Sequence, residues 1–181
     1  MSGEAAYLIG ATSRLGMAMI LGQSAWHALH DRPRHAAALA GYKLLPLAVV
    51  PITSIVLPLL TGAASALLMW PATAHAGAAL GLELMALFTT AIAINLRRGR
   101  THIDCGCGGA EGQHISPGLV VRNIVLMALL TASLIAPSSG AADPMAVLAQ
   151  LGGAAGIAAL YFVATQLLAN EAAMRAEATA A

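Results

Sequence analysis

Cys105 and Cys107 are the whole cysteine supply of a 181-residue chain. One glycine separates them inside RTHIDCGCGGAEGQHISP (residues 100–117), the longest polar stretch of a very apolar sequence. A thiolate attacks disulfides and ligates metals and a thiol does not, so the surrounding charges decide what the pair does. Arg97, Arg98 and Arg100 precede it, His102 is close by, and Arg122 falls in the first turns of the helix expected after Pro117. Positive charge and a helix N-terminal dipole both favour a thiolate. Cys105 and Cys107 are therefore the candidate reactive groups, and Arg122, Arg100 and His102 the candidate thiolate-stabilising ones. A disulfide across one residue closes a small ring, which the flexible Gly106 permits. A strained, exposed disulfide exchanges rather than serving as a staple.

The leading reading is a redox dithiol. A metal site built from His102, Cys105, Cys107 and His114 is the second, although the spacing fits no standard zinc pattern. The third is a pair of incidental loop cysteines. It ranks low because free cysteines usually sit among apolar side chains and this stretch is polar.

The elements that must position these residues follow from composition. Hydrophobic residues make up 59% of the chain and charged residues 9%, against about 25% charged in soluble domains. Such a chain cannot present a wettable surface, so the lipid bilayer is its solvent. A net charge of +1 argues against a nucleic-acid partner. No cleavable signal peptide is expected, because no basic n-region precedes the first apolar run. A membrane crossing takes about 20 apolar residues. Candidate spans are residues 5–29, 44–70, 73–96, 117–136 and 144–168, with a connecting loop at 30–43, a polar redox loop at 97–116 and a polar tail at 169–181. The expected fold is all-α, a single polytopic bundle of about five transmembrane helices. Pro46, Pro51 and Pro58 should kink the second or break its start. Ser116-Pro117 and Asp143-Pro144 read as helix starts. The pairs Gly77/Gly81 and Gly152/Gly156 would let helix backbones approach closely.

Arg32, Arg34, Lys43, Arg97, Arg98 and Arg100 all fall on one face of a five-span bundle, with the cysteines. The positive-inside rule puts that face in the cytoplasm. Trp26 and Trp70 suit interface anchors, and His27 and His30 headgroup contacts. Arg14 and Glu83 lie within spans, where an unpartnered charge costs at least about 2.5–3.5 kcal/mol. Each is some ten residues from the same face, about 14 Å deep at 1.5 Å per residue, so an intramembrane Arg14–Glu83 pair is expected.

The run INLRRGRTHIDCGCGG (residues 94–109), followed by ISPGLVVRNIVLMAL (115–129), resembles the MauE family of methylamine-utilisation membrane proteins. YKLLP (42–46) is a weaker match. Gly108 stands where the family tends to have a bulky residue and Pro117 where tryptophan is common, and an acidic residue is missing after Leu57-Pro58. Cys105 and Cys107 match the family's cysteines, and Arg122-Asn123 its R-N pair. The resemblance implies a multi-pass protein of the bacterial inner membrane. It would act with a thioredoxin-like, MauD-type partner in processing, transport or disulfide maturation of the small subunit of methylamine dehydrogenase. In that mechanism one thiolate attacks a partner disulfide and the other cysteine resolves the mixed disulfide. No bound cofactor is implied; since the chain has no third cysteine, the electron acceptor is left open between a membrane quinone, the first candidate, and another protein. The rival is a non-catalytic assembly or export factor with structural or metal-binding cysteines. A periplasmic pathway wants the dithiol outside while the charge rule puts it inside. A transmembrane relay would reconcile the two, and so would a second segment that fails to span and inverts every later loop.

Overall fold

A computed structural model describes residues 3–106, 113–137 and 143–180, apart from the side chains of 172, 173 and 175–180. Among the described residues six α-helices follow one another: α1 (Gly3–His30), α2 (Arg32–Tyr42), α3 (Val50–Met69), α4 (Ala74–Arg97), α5 (Pro117–Ile135) and α6 (Pro144–Ala180). Five stretches are long and apolar enough to cross a membrane: Gly3–His30, Leu47–Met69, Pro71–Arg97, Pro117–Ile135 and Pro144–Glu171. Outward-facing Ile52, Leu59, Val121, Leu148 and Leu160 give the lipid-facing surface expected where hydrocarbon replaces water.

The second span begins with a 3-10 turn at Leu47–Val49 and continues as one helix through Pro58. The proline removes one backbone bond, yet the helix runs on to Met69. The second segment is thus one continuous helix, long and apolar enough to cross a membrane. α1 packs chiefly on α3, α5 and α6, and α4 on α3 and α5. Met17, Leu21, Ala64, Leu68, Ala78 and Leu130 form the centre of the core. Small residues set the spacing. A Cβ on Gly77 would fall 2.7 Å from the backbone nitrogen of Leu68, so α3 and α4 meet backbone to backbone. Gly152 and Gly156 face open space instead; α6 meets α1 through Gly153, where a Cβ would lie 2.6 Å from Thr12.

Two expectations need correction. The stretch 30–43 is not a loop but holds the helix Arg32–Tyr42: Asp31 accepts the Arg34 N–H at 3.2 Å as an N-cap, Pro33 sits in the first turn and Lys43 caps the other end in the left-handed region. The polar tail from 169 is helix as expected and continues α6 to Ala180. Arg14 and Glu83 do not pair. Glu83 shares the exposed stripe of α4 with Ala79 and Leu87, while Arg14 is half-buried in α1 with Nε unpartnered. Matched depth brings two side chains together only when both point to the same seam, and α1 and α4 barely touch.

Candidate functional site

The stretch after α4 folds back on itself. The Cys105 N–H donates to Gln113 O and the Ile115 N–H to Ile103 O, both at 2.9 Å, with Asp104 opposite His114 in an antiparallel bridge. Extended backbone sends alternate side chains to opposite sides. Asp104 and His114 therefore turn outward, and Cys105, Gln113 and Ile115 inward. Cys105 is only 6% exposed and packs with Tyr42, Ile92, Ile115 and Leu119. This corrects the expectation of a polar, exposed cysteine: polar neighbours in sequence turn away while apolar ones from α2, α4 and α5 close over the sulfur.

α2 forms the other wall. The Tyr42 hydroxyl donates to Cys105 O and His35 Nδ1 lies against Gly106 O, each at 3.1 Å. Gly106 has φ +69°, and a Cβ there would lie 2.8 Å from the Ala38 Cβ. Both the conformation and the close approach to α2 require glycine. A carbonyl only accepts, so Nδ1 carries the proton and Nε2 keeps its lone pair in the neutral ring. Burial pushes the His35 imidazole below its ordinary value, an effect the bond to Gly106 partly offsets. Among the described residues, Nε2 has no hydrogen-bond partner.

The predicted thiolate stabilisers have other engagements. Arg100 Nη2 donates to Gly41 O at 3.1 Å, and Nη1 to Tyr42 O at 3.3 Å and Asn95 Oδ1 at 3.2 Å. It thereby satisfies orphan carbonyls at the C-terminus of α2, where a cation is favoured. His102 is exposed, its ring 6.4 Å from that of His114. Arg122 is buried; it donates to Thr165 Oγ1 and Asn123 Oδ1 at 3.2 Å and lies over the Tyr161 ring at 5.2 Å. The Asn123 amide continues to Thr89 Oγ1 at 3.2 Å. Among the described residues, no three His, Cys, Asp or Glu side chains come together as a metal site would need. Cys107, one of the predicted reactive pair, lies outside the described residues, as do Gly108 and Gly109.

A cavity of about 210 Å³ adjoins this wall, lined by His35, Tyr42, Cys105, Gly106, Arg122 and Asn123 together with side chains of α1, α3 and α4 that are apolar apart from Ser24, Thr53 and Thr61. Tyr42 from YKLLP, Cys105 and the Arg122-Asn123 pair, distant in sequence, thus share one cavity. His35 and Gln113 went unnoticed in the sequence, where nothing local sets them apart.

The family profile described as "Methylamine utilisation protein MauE" matches residues 6–136. The chain belongs to the MauE family. Proteins named "Methylamine utilization protein MauE" are 40% identical over 94 residues in Methylophilus methylotrophus, covering 51% of this chain and 49% of that one. In Paracoccus denitrificans the identity is 33% over 121 residues, 66% and 64% of the two chains. In Methylorubrum extorquens it is 34% over 159 residues, 87% and 85%. The match spans about half of the first relative and just under two thirds of the second. No solved structure matches. The MauE match ends at residue 136, so it takes in the Cys105 wall, α2 and Arg122 but not α6, which supplies Thr165 and Tyr161.

Proposed function

We propose that this protein is a thiol-disulfide redox component of methylamine utilisation in the bacterial inner membrane. Cys105 and Cys107 would exchange with a thioredoxin-like partner during maturation of the methylamine dehydrogenase small subunit. The observation that carries the reading is the hold on the Cys105-Gly106 backbone. Tyr42, His35 and the Gln113 carbonyl fix three of its polar groups, and Ala38 closes against Gly106. Such a cradle orients a reacting sulfur, which counts because misplacement by about 1 Å can cost 100-fold in rate.

The exchange balances in either direction. A thiolate of the pair attacks a partner disulfide, and the second cysteine displaces the partner's sulfur, leaving the partner reduced and the pair oxidised. In the maturation direction the partner's dithiol attacks the Cys105–Cys107 disulfide instead and passes it two electrons and two protons. The basic residues Arg97, Arg98 and Lys43 are exposed on the same face, where an acidic partner surface would find them.

The test is capture of the intermediate. One of Cys105→Ser and Cys107→Ser should accumulate a mixed disulfide with a thioredoxin-like protein, seen on non-reducing gels and absent from the double variant. The double variant, present at normal level, should also yield a small subunit lacking native disulfides. A double variant that yields normally cross-linked, active dehydrogenase would refute the redox role and leave a scaffold for assembly or export.

A further inference from the structure

We infer that α2 is a lid over Cys105, hinged at Asp31 and latched at Tyr42, that swings aside to admit a partner's disulfide; what it admits rests on the dithiol reading above. Thiol exchange needs the attacking sulfur in contact with a sulfur of the disulfide. Cys105 is buried beneath Tyr42, Ile92, Ile115 and Leu119, so a disulfide carried on a protein surface cannot reach it in this arrangement. Some part of that cover has to move. Ile92 and Leu119 belong to the spans α4 and α5, and shifting either would disturb the packing of the bundle. Ile115 is tied down by its N–H to Ile103 O. Of the four, Tyr42 alone stands on a short helix outside the spans.

α2 has the build of a lid. It is 11 residues long, and only His35, Ala38 and Tyr42 among them are buried. A helix of that length is marginal in water by itself, so its docking decides whether it holds. It touches α1, α3 and α4 far more lightly than α1 touches α3. Beneath it lies the 210 Å³ cavity, whose lining includes His35, Ala38, Leu39 and Tyr42. α2 therefore roofs a space rather than a filled core, and breaks fewer dispersion contacts when it lifts. Segments that bury so little open well below the free energy of global unfolding. The two ends differ. At the start, Asp31 carries helical bonding across from α1: its N–H donates to His27 O at 3.0 Å and its carbonyl accepts the His35 N–H at 3.1 Å. That end is the hinge. At the other end Lys43 has φ +49°, a left-handed conformation unfavourable to an L side chain, and residues 43–46 run on toward α3 as non-helical chain. The latch is here. The Tyr42 hydroxyl holds Cys105 O, and Arg100 holds Gly41 O and Tyr42 O. When these bonds part, the strain at Lys43 is relieved and the sulfur loses its Tyr42 cover. Arg100 thus acts on Cys105 through α2, as a positioning residue.

The experiment uses the full-length protein in lipid nanodiscs with Cys107→Ser, which leaves Cys105 as its one native thiol. Alkylation of Cys105 by a maleimide is followed at fixed pH by mass spectrometry. Tyr42→Phe should raise the rate about fivefold, the size of one lost buried hydrogen bond. Arg100→Gln should raise it at least as much, whereas loss of a cation acting on the thiolate directly would lower it. Gly81→Ala crowds Leu130 and Leu21 in the core. It should lower thermal stability yet leave the rate within twofold, because the opening is local. A lock gives the converse. A Cβ on Gly41 would lie 3.2 Å from Ile103 Cγ2, so Gly41→Cys with Ile103→Cys can bridge the latch end of α2 to the cysteine segment. The closed bridge should slow alkylation of Cys105 at least tenfold, and its reduction should restore the rate, which reports that the protein is folded. Alkylation indifferent to the bridge, to Tyr42→Phe and to Arg100→Gln overturns the lid, even where a mixed disulfide with the partner forms. Gated alkylation with no mixed disulfide in either single cysteine variant keeps the lid and overturns the exchange reading.

Discussion

Gly106 and Gly99 make a matched pair of perturbations. Both lie in the left-handed region, with φ +69° and +68°, but a Cβ on Gly99 meets nothing within 4 Å whereas one on Gly106 falls 2.8 Å from the Ala38 Cβ. An L side chain in that region costs about 1–2 kcal/mol. Gly99→Ala should therefore lower stability by that amount, or about 2–8 °C at the 2–4 °C per kcal/mol of a chain this size. Gly106→Ala carries the same backbone cost plus about 1–3 kcal/mol of overpacking against α2, so about 2–5 kcal/mol in all. Removing the Ala38 methyl should cancel the second part alone. In an Ala38→Gly background, itself weaker by roughly 0.5–1 kcal/mol for a helical glycine, Gly106→Ala should again cost only about 1–2 kcal/mol. Thermal unfolding in detergent, followed by reaction of the buried Cys105 with a fluorogenic maleimide, measures all four proteins. Equal losses for Gly99→Ala and Gly106→Ala, or a Gly106→Ala loss indifferent to Ala38→Gly, would refute the close packing of the cysteine turn on α2.

His35 gives a pH signature. Its folded-state value lies below the unfolded one, so below about pH 6.5 the unfolded chain binds the proton first. Stability should be flat above that pH and fall as pH drops through the unfolded value toward the folded one; His35→Asn should flatten the acid limb of a melting-temperature profile. Glu83→Gln should change stability by no more than about 0.5 kcal/mol, as for an exposed site, and a loss well above 1 kcal/mol would reinstate a pairing with Arg14. For orientation, exposed Thr101 and Ala72 can each be changed to cysteine in a Cys105→Ser/Cys107→Ser background. On intact cells an impermeant maleimide should label Ala72→Cys and spare Thr101→Cys until permeabilisation; the reverse would put the basic face outside.

The spans were legible because hydropathy alone decides which segments leave water, and the starts at Pro117 and Pro144 follow from local chemistry: the Ala146 N–H donates to Asp143 Oδ1 at 2.6 Å. α2 carried a cap signal in Asp31-Arg32-Pro33, masked by a polar composition that reads equally as loop. What the sequence could not display is direction. Depth along a helix is additive in residue number, but the seam a side chain faces depends on which helices become neighbours, and so the Arg14–Glu83 pairing failed. The burial of Cys105 was hidden for a related reason: of its buried covering residues only Ile115 belongs to its own segment, while Tyr42, Ile92 and Leu119 come from α2, α4 and α5. Arg122 was placed beside the cysteines by sequence proximity; it lines the same cavity as Cys105, but it is also tied to Thr165 and Tyr161, some forty residues later.

The ties that hold the cysteine wall reach both ways along the chain, and that sets an order of assembly. Tyr42 and His35 precede Cys105 and are already made when it leaves the ribosome. The Gln113 side chain waits for the Thr165 carbonyl, 52 residues on. At about 5–20 residues per second, that wait is roughly 3–10 s. Through this interval α2 grips one side of Cys105 while Gln113, whose carbonyl holds the Cys105 N–H, has nothing to lean on from α6. A helix synthesised well after the cysteines thus completes the wall, and a chain truncated before α6 would carry its cysteines on a half-built support.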